Sequence, residues 1–174
     1  MAYHIIRPAL LSDAHKLLQL YKEVAKTVGG MAREEDEISQ EYIIQNLTNS
    51  LKNGVSYVVE LSNGEELVAE IHCYKLTPRV FDHVLSELTI AVHPSYQGQG
   101  LGKELFSTLL THIEQHRPDI LRVELIARES NQKAIAFYKK LGFKIEGRFE
   151  RRIDNKTDTF EADIPMAWFN RKYV

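Results

Sequence analysis

Ile90-Ala91-Val92-His93-Pro94-Ser95-Tyr96-Gln97-Gly98-Gln99-Gly100-Leu101-Gly102 is the stretch on which the fold turns. An apolar, β-branched run stops at His93-Pro94, three glycines follow at alternate positions, and an amphipathic run opens at once. That pattern predicts a strand, a tight loop and a helix in immediate succession. Glycines let the backbone turn and approach a ligand closely. The first amides of a helix have no internal partners, and the helix dipole adds positive potential there. A diphosphate is the natural guest of such a loop; the alternative is a glycine-rich connection that binds nothing. Two commoner nucleotide motifs are excluded by the spacing. No Gly-Lys-Ser/Thr follows the glycines, and Gly98-x-Gly100-x-Gly102 is not the Gly-x-Gly-x-x-Gly of a dinucleotide fold.

Upstream, residues 4–7 read as a first strand stopped by Pro8. Ser12 or Asp13 is placed to cap a helix with Ala14, Leu17, Leu18, Tyr21, Val24, Ala25 and Val28 on its apolar face, ended by Gly29-Gly30. Ser39 opens a second helix with Ile43, Leu47 and Leu51 on one side and Gly54 just beyond it. Residues 55–61 and 67–76 are β-rich and flank Asn63-Gly64, a hairpin signal. Residues 84–92 form the strand that enters the glycine loop.

Downstream, Leu101, Leu105, Phe106, Leu109 and Ile113 share one face of a long helix ending before Pro118. A strand follows at 120–127, then a helix at 131–141 with Ala134, Ile135, Tyr138 and Leu141 in phase. A strand over 143–153 and another over 159–166 close the chain around a turn at Asp154-Asn155-Lys156. The order is βααβββαβαββ, an α/β (α+β) architecture with a mixed sheet flanked by helices.

Gln97-x-x-Gly100-x-Gly102 resembles the Gln/Arg-x-x-Gly-x-Gly/Ala signature of the GNAT superfamily of N-acetyltransferases, and Ala91-Val92-His93-Pro94 looks like that family's lead-in. Asn131-Gln132-Lys133-Ala134-Ile135-Ala136-Phe137-Tyr138, followed by Leu141-Gly142-Phe143, is similar to its second signature. The two motifs cover roughly residues 87 to 147. The resemblance implies the acyl-CoA N-acyltransferase fold, mostly antiparallel, with acetyl-CoA as co-substrate and no metal. It implies direct attack of a primary amine on the thioester. A small molecule such as an amino acid or polyamine is the leading acceptor; a protein N-terminus or lysine is the alternative, and a non-catalytic CoA-binding module a second.

The same resemblance distributes roles. Backbone amides of Gln97, Gly98, Gln99, Gly100, Leu101, Gly102 and Lys103 would wrap the CoA diphosphate, with Ala91 and Val92 closing the strand beside the pantetheine arm and Asn131 touching that arm. The Val92 amide would face the thioester carbonyl. Tyr138 would protonate the departing thiolate, although its phase with Ala134 and Leu141 also suits plain packing. A base is needed because an alkylammonium, with a reference pKa near ~10.4, is not nucleophilic at neutral pH. Glu87 is the first candidate and Glu124 the alternative. His72, His83 and His93 are candidate proton carriers but read first as surface or rim histidines, and Cys73 as a buried, inert thiol.

Composition bounds the rest. A length of 174 residues suits one domain, spanning 1–174, with a sizeable core. A formal net charge of −2 offers no electrostatic reason to expect nucleic acid or an anionic membrane as partner. The single cysteine excludes an internal disulfide and fits a reducing compartment. No apolar run approaches the roughly 20 residues of a membrane span, and the N-terminus lacks a secretory signal's apolar stretch. The expected location is the cytoplasm. A homodimer, with Trp168 and Phe169 at a core or dimer contact, completes the expectations.

Overall fold

The computed structural model of the chain describes residues 4–27, 31–62, 64 and 66–174. Its strands are β1 (His4–Pro8), β2 (Gly54–Leu61), β3 (Leu67–Lys75), β4 (Val84–Val92), β5 (Arg122–Arg128), β6 (Lys144–Ile145), β7 (Phe149–Asp154) and β8 (Phe160–Phe169). Its helices are α1 (Ala14–Ala25), α2 (Gln40–Asn53), α3 (Leu101–His116) and α4 (Gln132–Lys140). One sheet runs β1-β2-β3-β4-β5-β8-β6, with β7 also on β8. Every pairing is antiparallel except β4 with β5.

Because successive strand side chains point to opposite faces, the central strands feed two cores. Val58 packs in a cluster with Leu17, Tyr21, Ile43 and Leu47 of α1 and α2. Its neighbour Val59 joins Leu105, Phe106, Leu109 and Ile113 of α3, together with Ile135 of α4. Two helices therefore cover each face, and the sheet's middle strands are buried on both sides.

Several details depart from expectation. Asp13 does not cap α1 with its side chain; its carboxylate accepts two hydrogen bonds from the Arg7 guanidinium at 2.8 Å each and one from the Leu10 N–H at 2.8 Å. A charged partner is a stronger donor than a helix amide, so the carboxylate turns to Arg7. On α1 it is Leu20 that is fully buried, while Leu18 packs at the margin. Val28 and Gly29-Gly30 lie outside the described residues. Ser39 does cap α2, accepting from the Tyr42 N–H at 3.2 Å, but Leu51 is 45 % exposed. Strands β2 and β3 pair antiparallel as the hairpin signal predicts; Asn63 itself lies outside the described residues.

The single strand expected over 143–153 is two. Residues 146–148 interrupt it, and β7 sets Phe149 opposite Asp163 but Ile153 opposite Glu161, a bulge with Arg151 at φ 52. Extra residues on one strand bend it and end its regular pairing. Among the described residues no helix is long and apolar enough to cross a membrane, and no cluster of three or more His, Cys, Asp or Glu could hold a metal ion.

Candidate active site

The parallel pair β4–β5 is joined only at its beginning, through Val84 opposite Arg122 and Leu85 opposite Val123. Past that point β4 keeps its pairing with β3, and β5 keeps its pairing with β8 as far as Arg128 opposite Asp163. The two strands diverge like a V. Between them lies a cleft of ≈ 470 Å³ bordered by Leu88, Ile90, Ala127, Asn131 and Tyr138.

A bulge opens the V. The register on β3 shifts from His72 opposite Thr89 to Tyr74 opposite Ser86, so Glu87 and Leu88 together face Cys73. Glu87 takes the left-handed conformation, φ 53, which is costly for a residue with a Cβ and persists only where its surroundings impose it. Such a bulge bends β4 away from its parallel neighbour. It also places Glu87 at the junction of the cleft with a second, polar pocket.

At the far end of β4 the His93 N–H donates to the Val68 carbonyl at 2.8 Å. Hydrogen-bonded pairs alternate along an antiparallel ladder. Val92, one residue earlier, therefore turns its N–H and C=O away from β3 and toward the V. Its carbonyl receives the Gln97 side-chain amide at 3.1 Å, which ties the glycine loop to the strand.

The loop itself is built as an anion cradle. Gly98 and Gly100 lie at φ 76 and φ 91, conformations a side chain would strain, and the space above Gly98 is open. Gly100 is the N-cap of α3 and supplies no side chain to its amides. The Glu104 N–H closes the first turn onto the Gly100 carbonyl at 3.1 Å, leaving the N–H groups of Leu101, Gly102 and Lys103 ahead of that bond. The Glu104 carboxylate turns aside to His4 at 3.0 Å. Unpaired donors at a helix start suit an anion such as a diphosphate; Glu104 shares that first turn, with one carboxylate oxygen 4.0 Å from where a Cβ on Gly100 would sit.

Tyr138 and Asn131 stand on the other wall. Asn131 caps α4, its side-chain oxygen accepting from the Ala134 N–H at 3.1 Å, so its carboxamide is at least partly engaged in structure. Tyr138 packs against Phe106, ring centroids 5.5 Å apart, and against Phe143 at 6.1 Å, while it also borders the cleft. Packing and cleft exposure coexist in the one side chain. Burial pushes its phenol above the ordinary value, so the hydroxyl keeps its proton at neutral pH. Glu124 is engaged elsewhere: its carboxylate pairs with Arg122 at 2.8 Å and does not border the cleft.

The polar pocket, ≈ 230 Å³, is lined by Arg33, Tyr42, Asn46, His72, Tyr74 and Glu87 among others. Arg33 sits over the Tyr42 ring at 4.2 Å. Most of these residues carried no signal in sequence. His72 corrects an expectation: it is 3 % exposed rather than at the rim. Its Nδ1 lies 3.0 Å from the carboxylate of Glu70, itself 1 % exposed, which also accepts from the Tyr21 hydroxyl at 2.5 Å and the Ser56 hydroxyl at 3.0 Å. On β3 Glu70, His72 and Tyr74 alternate with Ile71 and Cys73, a period-two pattern that by itself reads as a solvent-facing polar side, so their burial carried no sequence signal. Cys73 is fully buried and its thiol is raised well above the usual range, as expected of an inert cysteine.

Comparison with known proteins agrees with this arrangement. Residues 14–143 match the acetyltransferase (GNAT) family. The chain belongs to that family. The [ribosomal protein bS18]-alanine N-acetyltransferase of Escherichia coli K12 is 42 % identical over 87 residues, a match that covers 48 % of this chain and 57 % of the relative. The chain thus spans little more than half the length of the curated relative it matches. Among solved structures, a GNAT-family acetyltransferase from Streptococcus pneumoniae superposes with a TM-score of 0.84 at 23 % identity, covering 96 % of this chain and 99 % of its own. A phosphinothricin acetyltransferase from Sinorhizobium meliloti, in complex with acetyl-CoA, reaches 0.75 at 16 % identity over 98 % of this chain and 90 % of its own. At such identities the structural likeness speaks for the fold.

Proposed function

We propose that the protein transfers the acetyl group of acetyl-CoA to a primary amine by direct attack. The observation that carries this reading is the V between β4 and β5, with the Val92 N–H turned into it and the glycine-loop amides at its end. The amides of 97–103 hold the diphosphate, and the pantetheine arm runs down the V past Asn131. The thioester carbonyl then faces the Val92 N–H. Glu87 takes a proton from the incoming ammonium, directly or through water. The free amine attacks the carbonyl carbon, and the oxyanion that forms is stabilised by the Val92 N–H; removing one such donor typically costs about 3 kcal/mol of transition-state stabilisation. As the tetrahedral adduct collapses, the carbon–sulfur bond breaks and Tyr138 gives its proton to the leaving thiolate. Glu124, held by Arg122, is the weaker candidate for the base.

For the acceptor we favour a compact amine, because the pocket beside Glu87 is small and polar. A second reading, a protein N-terminus, draws on the bS18-alanine acetyltransferase relative. An open basin of ≈ 950 Å³ bordered by Arg33, Glu37, Arg128, Arg152 and Asp163 would accommodate a peptide. The test is CoA release from acetyl-CoA with a panel of spermidine, free amino acids, an aminoglycoside and an alanine-starting peptide. Turnover on a small amine supports the favoured acceptor, and turnover on the peptide alone replaces it with the protein reading. Acetyl-CoA binding without turnover on any amine points to an idle CoA-binding module.

A further inference from the structure

Acylation of an ammonium removes two protons from one nitrogen: the first to free the lone pair, the second as the tetrahedral adduct becomes an amide. A single carboxylate at the junction holds one proton at a time. The polar pocket behind Glu87 contains a group built to take the other.

His72 lines that pocket with Glu87, and its Nδ1 side is spoken for. The Glu70 carboxylate accepts from the Tyr21 and Ser56 hydroxyls, and His72 Nδ1 lies 3.0 Å and 3.2 Å from its two oxygens and 3.3 Å from the Tyr21 hydroxyl. Burial raises the Tyr21 phenol well above its ordinary value, so Tyr21 is a donor and not a competing anion. An imidazole that donates Nδ1–H to a buried carboxylate carries its lone pair on Nε2, the tautomer that makes a histidine a base. Tyr74, stacked on the ring with centroids 6.1 Å apart and planes 7° apart, fixes its plane.

Resting on the acetyltransferase reading, we propose that His72, held by Glu70 and Tyr21, is a proton relay for Glu87. Glu87 takes the ammonium proton and passes it through pocket water to His72 Nε2, where the imidazolium pairs with Glu70. Glu87, ionised again, takes the second proton as the adduct collapses. Tyr138 supplies the thiolate's proton and is reprotonated from solvent, so one proton is released per turnover. The charged or titratable groups facing the imidazole are Tyr21 from α1, Tyr42 from α2, Glu70 and Tyr74 from β3, Glu87 from β4, and Arg33 from the loop before α2. A polar pocket of ≈ 230 Å³ has room for the bridging water.

The variant His72→Asn tests this, because an amide retains a donor on the Glu70 side while the second ring nitrogen, Nε2, is lost. With a panel amine that turns over, kcat/KM at pH 8 should fall about a hundredfold, the low end of general-base effects. The ratio of wild type to variant cancels the amine's own ionisation. It should shrink toward acid pH, and added imidazole should restore rate to the variant; acetyl-CoA affinity should not move. A ratio independent of pH with no rescue overturns the relay while leaving the acetyltransferase reading intact. If no panel amine turns over, that reading fails and takes the relay with it. Should His72→Asn not fold, nitrogen-15 NMR of the wild-type imidazole decides: the Nδ1–H tautomer supports the relay, and the Nε2–H tautomer refutes it.

Discussion

The two halves of the site are made of different material. In the proposed site the cofactor half is backbone: the amides of residues 97–103 and the turned Val92 N–H, all within one contiguous run. The acceptor half is side chain: Arg33, Tyr42, His72 and Glu87, drawn from a loop, a helix and two strands. Backbone recognition needs only that the chain turn in a particular way, which a few glycines dictate. Side-chain recognition needs the whole fold to bring distant residues together. Substitutions should therefore damage the two halves in distinguishable ways.

The largest separation is expected at Tyr138, which lines the cleft between β4 and β5. Tyr138→Phe keeps the packing on Phe106 and Phe143 but loses the acid. The rate constant kcat should fall about a hundredfold, in the usual range for a proton donor, with acetyl-CoA affinity unchanged. Steady-state kinetics beside calorimetry reads both quantities, and a parallel fall would make the role structural. Next comes Tyr21→Phe, which strips one donor from a carboxylate 1 % exposed. A stability loss of about 2 kcal/mol in urea unfolding is expected, since a buried charged group is left short of a partner. Diphosphate binding should be untouched, because the loss falls in the acceptor half alone.

How much of this was readable follows the same division. The glycine loop, the Val92 strand end and the Tyr138 helix were legible because local spacing alone specifies them. Glu87 was singled out through the family resemblance; the bulge around it was not legible, since nothing in Ser86-Glu87-Leu88 marks a left-handed turn. Glu124 stands as the alternative base in the sequence, and nothing local shows that Arg122 pairs with its carboxylate. His72 read as a rim residue because a polar side chain in a strand is exposed by default, and only the packing of α1 and α2 over β3 buries it. The break between β6 and β7 was hidden for a related reason, as the bulge depends on the register against β8.

Smaller effects sharpen the comparison from the cofactor side. Gly100→Ala forces a Cβ into a conformation at φ 91, costing about 1–2 kcal/mol, so CoA affinity should drop roughly tenfold while the fold holds. Titration calorimetry and thermal melting separate those outcomes. Asn131→Ala removes the α4 cap and should cost about 1 kcal/mol of stability, read by denaturant unfolding.

The central claim is that main-chain donors at the start of α3 grip the diphosphate of coenzyme A. Calorimetric titration of the wild-type chain with CoA and, separately, with pantetheine, which has no diphosphate, tests it most directly. The account predicts saturable binding of CoA and affinity at least a hundredfold weaker for pantetheine. Equal affinity for the two, or no heat from CoA at millimolar concentration, would contradict it.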